Sequence, residues 1–130
     1  MNQQERNDLV NYRINRAKKT FNEVKILIDN KLWGVAVNRL YYACYYAVIA
    51  LLSKNKINAE THGGVRRMFG LHFVRTGLIT KETGKFYTEI FEKRHSSDYD
   101  DFIDISENDV LSYIEPANKL IQEIDRLIKN

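Results

Sequence analysis

The chain has few of the residues that turn a backbone sharply. One proline and six glycines among 130 residues are too few for the many tight turns of an all-β protein. One cysteine, Cys44, excludes an internal disulfide and cannot begin a thiolate metal cluster, and its place in the most apolar stretch marks it as a small core residue. Charge of either sign is not in large excess. A net charge of +3 permits a phosphate-bearing partner without identifying one. No charged-then-apolar leader opens the sequence and no apolar run is judged long enough to span a bilayer, so a cytoplasmic protein with no membrane contact is expected. Gly-rich phosphate loops, G-x-S-x-G elbows and close His/Cys/carboxylate groups are missing too, which removes the anchors for nucleoside triphosphatase, serine hydrolase and metal chemistry.

What is present is helical periodicity. From about Asn7 to Asp29 the apolar residues Val10, Ile14, Ala17, Phe21, Val24 and Ile28 recur in steps of three and four, one stripe of an amphipathic helix. Its other side carries Arg13, Arg16, Lys18, Lys19 and Lys25, expected to form a solvated face. After a break at Asn30 and Lys31, the stretch Trp33 to Leu52 is apolar on several faces, and such a helix has to be buried nearly all round. It is expected to be the central element, shorter than a membrane span and marked by Asn38, Arg39 and four tyrosines. Ser53 to Thr61 is a connection, and Thr61 is placed to cap a short helix from His62 to about Phe73. Thr76-Gly77 ends that helix and Thr80 caps the next, which turns Phe86, Ile90 and Phe91 inward before Arg94. The acidic, aromatic run Ser97 to Phe102 is expected to be an ordered loop. Ser106-x-x-Asp109 opens a last helix whose stripe (Val110, Ile114, Ala117, Ile121, Ile124, Ile128) stays in phase across Pro116, predicting a kink and not a break. With 44% hydrophobic and 28% charged residues and no repeat or linker, residues 1–130 form one all-α domain, an antiparallel up-and-down bundle of four to five helices.

Two clusters carry candidate chemistry. On the central stretch, Asn38, Tyr42 and Tyr45 share a helical face, overlapped by Arg39, Tyr42 and Tyr46. Buried hydroxyls and a buried guanidinium need partners, so this face meets polar core groups, another chain or a ligand. At the end of the fourth helix Arg94 and Asp98 stand one turn apart, with His95 and Tyr99 on the adjoining diagonal. Such a cluster suits a phosphate, with Arg holding the anion and His or Tyr moving protons, although solvated charges at a helix end are the commoner outcome.

Read in order, Asn38-Arg39-Leu40-Tyr41-Tyr42-Ala43-Cys44-Tyr45-Tyr46, Thr61-His62-Gly63-Gly64-Val65, His72-Phe73-Val74-Arg75-Thr76-Gly77 and Arg94-x-x-x-Asp98-Tyr99 resemble the HEPN superfamily, in its small stand-alone bacterial and archaeal branch. The resemblance covers nearly the whole chain. It implies a homodimeric bundle of four or five helices, often paired with a minimal nucleotidyltransferase in toxin-antitoxin modules. The catalytic members are metal-independent endoribonucleases with an Arg followed after four to six residues by His. Here Arg94 matches the Arg, but Tyr99, Asp100 and Asp101 stand where the His is expected, and His95 is next to the Arg. The expected protein is an RNA- or nucleotide-binding component of a toxin-antitoxin-like pair. Asn38, Arg39, Tyr42 and His62 would bind, Arg94, His95, Asp98 and Tyr99 would form the reactive end, and no metal or cofactor is implied. Two alternatives stay open: an endoribonuclease toxin in which His95 or His62 replaces the missing His, and a non-catalytic dimeric scaffold.

Overall fold

The computed structural model describes residues 1–99 and 105–130, and for residues 96–99 the backbone alone. It is an all-α antiparallel bundle: α1 (Gln3–Asp29), α2 (Trp33–Lys54), α3 (His62–Phe69), α4 (Lys81–Tyr99) and α5 (Glu107–Lys129), with a turn of π-helix, Gly70–Val74, continuing α3. Among the described residues there is no strand.

Local chemistry sets the helix ends. The Asn2 side chain caps α1 by accepting from the Glu5 N–H at 2.8 Å, so the helix starts earlier than its apolar stripe does. Both α1 and α2 end on a lysine in the left-handed region, Lys31 and Lys56, each with φ of 58°. Glycine is the usual occupant of that conformation, so the chain accepts steric strain of roughly 1–2 kcal/mol at each turn. Ser106 and Asp109 form the reciprocal capping box of α5, with bonds of 3.2 and 3.0 Å. That helix runs unbroken through Pro116 because its apolar face stays against the core on both sides.

The core is organised around α2, where twelve of the 22 residues are buried and Cys44 is one of those fully enclosed. Being 22 residues long, α2 does reach membrane-spanning length, which corrects the sequence expectation. It is the one helix among the described residues long and apolar enough for that, and 61% of its most apolar window is buried inside the bundle.

The basic side of α1 also differs from expectation. Arg6 and Arg13 donate to the carbonyl and the hydroxyl of Ser53, at the last turn of α2. Arg16 lies 4.2 Å from the centre of the Tyr46 ring, and Lys18 pairs with Asp125 at 3.0 Å. These long side chains fold back over neighbouring helices, and the solvated-face expectation holds only in part.

Between α3 and α5, the chain is pinned by two features that periodicity does not reveal. Glu123, 8% exposed, accepts from the Thr80 N–H at 3.2 Å and from the Thr83 hydroxyl, so an α5 carboxylate completes the N-terminal cap of α4. At the other, a β-carbon on Gly84 would stand 2.6 and 2.8 Å from the two methyl carbons of Val74, closer than real contacts allow. Val74 is β-branched with little rotamer freedom, so the π-turn and α4 can touch only across a glycine. Gly84→Ala should therefore lower the unfolding free energy by about 1–3 kcal/mol in urea titration despite alanine's better helix propensity. An unchanged midpoint would mean that Val74 moves aside freely.

The backbone of Ser97 to Tyr99 continues α4, where a loop was expected. The remainder of that acidic run, Asp100 to Phe102, lies outside the described residues.

Candidate functional site

Thr61 fixes the start of α3 by accepting from the Gly64 N–H at 2.9 Å. A β-carbon on Gly64 would sit 3.0 Å from the Thr61 hydroxyl oxygen, which accounts for a glycine just inside the helix. This cap sets the first residue, His62, against α2. Its Nδ1 is 2.7 Å from the Tyr41 hydroxyl, its ring stacks on Tyr45 at 4.4 Å and 23°, and the Tyr42 ring meets it edge-on at 5.8 Å and 88°. Three tyrosines from one side of α2 thus pack around one imidazole.

The end of α4 supplies the charge. Arg94 donates from Nη2 to the Tyr42 hydroxyl at 3.2 Å, and its guanidinium carbon is 5.5 and 5.4 Å from the ring centres of Tyr41 and Tyr42. Arg39 approaches the same Tyr42 ring at 5.6 Å. Cation–ring contacts of this kind hold a guanidinium in place over the aromatic faces.

Burial, and then the charge of Arg94, lower the pKa of His62 below the ordinary histidine value, so its imidazole is neutral at neutral pH. Burial holds the Tyr41 and Tyr45 hydroxyls above the usual phenol range, so both remain protonated donors. The site therefore offers fixed positive charge, phenolic donors and one neutral imidazole, a set suited to an anion with an attached aromatic ring.

Of the residues singled out from the sequence, Arg39, Tyr42, His62 and Arg94 come together. Asn38 lies one turn before Tyr42, half-buried, with no side-chain hydrogen bond among the described residues. His95 is exposed, whereas His62 lies among the tyrosines with Arg94. The Asp98 and Tyr99 side chains, and with them the expected Arg94–Asp98 pair, lie outside the described residues. Sequence reasoning missed the Tyr41–His62 bond and the buried Tyr87 behind it. The i,i+4 spacing of Tyr41 and Tyr45 was a usable signal, whereas nothing local tied either residue to position 62. Among the described residues no group of three or more His, Cys, Asp or Glu side chains could hold a metal ion.

Comparison with known proteins now decides the family. A HEPN-domain family model matches residues 10–127. The chain belongs to the HEPN-domain family. Among similar HEPN-family relatives is a Thermotoga maritima protein named "UPF0332 protein", 36% identical over 130 residues, all of this chain and 97% of the relative. A Methanocaldococcus jannaschii protein named "Putative toxin" is 40% identical over 83 residues, 64% of this HEPN chain and 62% of its own length. A second "Putative toxin" of that organism is 32% identical over 96 residues, 74% of this chain and 65% of the relative. The match to each archaeal protein covers less than two thirds of it.

Proposed function

We propose that the aromatic and basic cluster formed by α2, the start of α3 and the end of α4 binds RNA or a nucleotide, and that the protein works as a homodimer in a toxin-antitoxin-like pair with a minimal nucleotidyltransferase. The observation that carries this is the Arg94 guanidinium laid over Tyr41 and Tyr42 beside a His62 ring stacked on Tyr45. Phosphate oxygens suit a guanidinium, and the half-buried Tyr42, Tyr45 and His62 rings are of the kind on which bases stack. The names of the two archaeal relatives support the toxin side of the reading. Titrating the purified chain with a short fluorescent RNA and with mononucleotides should show binding tighter than about 1 mM that weakens as salt rises. No association with either class of ligand would overturn the proposal.

A second reading, a metal-independent endoribonuclease, is favoured by one specific observation: the imidazole beside Arg94 in the described structure belongs to His62, not to the exposed His95. In that chemistry neutral His62 takes the proton of a ribose 2′-hydroxyl as its oxygen attacks the adjacent phosphorus. Arg94 stabilises the charge gathering on the phosphoryl oxygens, the 5′-oxygen takes a proton from solvent as its bond to phosphorus breaks and a 2′,3′-cyclic phosphate forms, and His62 then returns its proton to solvent. RNA cut by the wild type and by His95→Ala but spared by His62→Gln is the expected pattern, while RNA left intact by the wild type removes the enzyme reading.

A further inference from the structure

The basic and aromatic contacts continue past the cluster, along α2 and onto α1. From Asn38 to Ser53, the α2 residues that keep some exposure are Arg39 and a stripe of Asn38, Tyr42, Tyr45, Ile49 and Ser53, and the rest are buried. Steps of three and four residues put that stripe on one side of the helix, with a length of roughly 22 Å at 1.5 Å per residue. Its two edges differ. Tyr41 stands on one edge, where His62 and Arg94 meet it, and Tyr46 on the other, where α1 arrives. The Arg16 guanidinium carbon lies 4.2 Å from the centre of the Tyr46 ring, and that ring is 5.9 Å from Tyr42 and 6.1 Å from Tyr45. Farther along the same edge, Arg13 donates to the Ser53 hydroxyl and Arg6 to the Ser53 carbonyl. Burial raises the Tyr45 pKa and the charge of Arg13 opposes that rise, so Arg13 stands within electrostatic reach of the ring.

The arginines of this edge have no anion of their own. Lys18, Lys25, Lys93, Lys119 and Lys129 pair with Asp or Glu side chains, whereas Arg6, Arg13, Arg16 and Arg39 pair with no carboxylate among the described residues. Arg16 is exposed, and Tyr12, one turn before it on the same side of α1, is 61% exposed, an aromatic ring that the core does not use. Positive charges in a row without neutralising neighbours repel one another, and a polyanion relieves that repulsion. Because the row runs beside tyrosine rings, it suits a strand that alternates phosphates with bases better than a lone anion. A mononucleotide would occupy the end at His62 and Arg94 and leave α1 unused.

We propose that Tyr12, Arg13 and Arg16 form a second subsite continuous with the first, so that the ligand is a single-stranded RNA of several nucleotides whose phosphates follow the α1 edge of the stripe. This rests on the RNA-directed reading above and narrows it from RNA or a nucleotide to a strand. At the 3.4 Å rise of a stacked strand, the stripe accommodates about six nucleotides.

Calorimetric titration of the full chain with uridine monophosphate and with unlabelled oligouridylates of increasing length tests the subsite. Wild-type affinity should climb with length up to about six nucleotides and change little beyond that. Arg16→Ala should weaken the longest strand roughly fivefold at 0.1 M salt and lower the slope of log affinity against log salt by about 0.7, the effect of one phosphate contact on a single strand. The same variant should bind the monophosphate as the wild type does, whereas Arg94→Ala weakens both ligands. Arg16→Lys keeps the charge and should keep the salt slope, and Tyr12→Ala should weaken the long strand without changing that slope. Lys85→Ala, exposed near the start of α4, removes a charge elsewhere and should change neither ligand. Wild-type affinity for the long strand in both Arg13→Ala and Arg16→Ala, or equal affinity for monophosphate and long strand, overturns the subsite and leaves the RNA reading in place. Sedimentation of the same variants tests the other occupant. If Arg16→Ala shifts the subunit equilibrium and not the RNA affinity, the edge is a contact between copies and the subsite is overturned. Absence of binding at every length removes the RNA reading together with the subsite.

Discussion

Truncating Leu40 to alanine should lower the free energy of unfolding by about 2–5 kcal/mol, the range for removing a large aliphatic side chain from a packed core. Leu40 is fully buried on α2, the helix against which α1, α3, α4 and α5 all pack. Its loss opens a void that those neighbours cannot all close together, and an apolar void stays dry. Leu71, 44% exposed on the π-turn, provides the contrast: Leu71→Ala should change stability by no more than about 0.5 kcal/mol. Urea denaturation checks both, with the dependence on denaturant unchanged so that the midpoint alone reports stability. Equal effects at the two positions would mean that α2 is not the centre of the core.

The central position of α2 was legible in the sequence because a helix apolar on several faces has only one stable place in a single-domain bundle. The stripes of α1 and α5, the caps at Thr61, Thr80 and Ser106, and the passage through Pro116 were legible for a similar reason, since each depends on residues within one or two turns. Distant groups that meet through space left no such trace. Glu123, which no sequence pattern singled out, caps α4 from 40 residues away. Gly84 was not singled out either, and its purpose is visible only beside Val74.

The candidate site divides along the same line. Asn38, Arg39 and Tyr42 could be grouped by helical spacing, and Arg94 by the resemblance to HEPN sequences. Choosing among the three histidines needed coordinates. His95 adjoins Arg94 in sequence, but adjacent residues on a helix point about 100° apart, and His95 is exposed. His62 precedes Arg94 by 32 positions and shares its tyrosines. The Thr61 cap was visible in the sequence, but not that it would deliver His62 to Tyr41.

Arg94→Ala should weaken RNA binding by roughly ten- to a hundredfold, the equivalent of one charge-assisted hydrogen-bonded contact of about 1.5–3 kcal/mol. Two further readouts in that variant give the result its meaning. Arg94 is one of the causes that hold the His62 pKa down, so removing its charge should move the histidine upward, toward its ordinary value, in an NMR titration. Loss of one phosphate contact should also reduce the slope of log affinity against log salt by about 0.7 for a single strand. Arg94→Lys keeps the charge but loses the planar group that lies over Tyr41 and Tyr42, so its affinity should fall between the two. If the His62 pKa rises in Arg94→Ala while RNA affinity and salt dependence stay as in the wild type, the arginine faces the imidazole but not a nucleic acid. The cluster is then not an RNA site, and the scaffold alternative becomes the one to pursue.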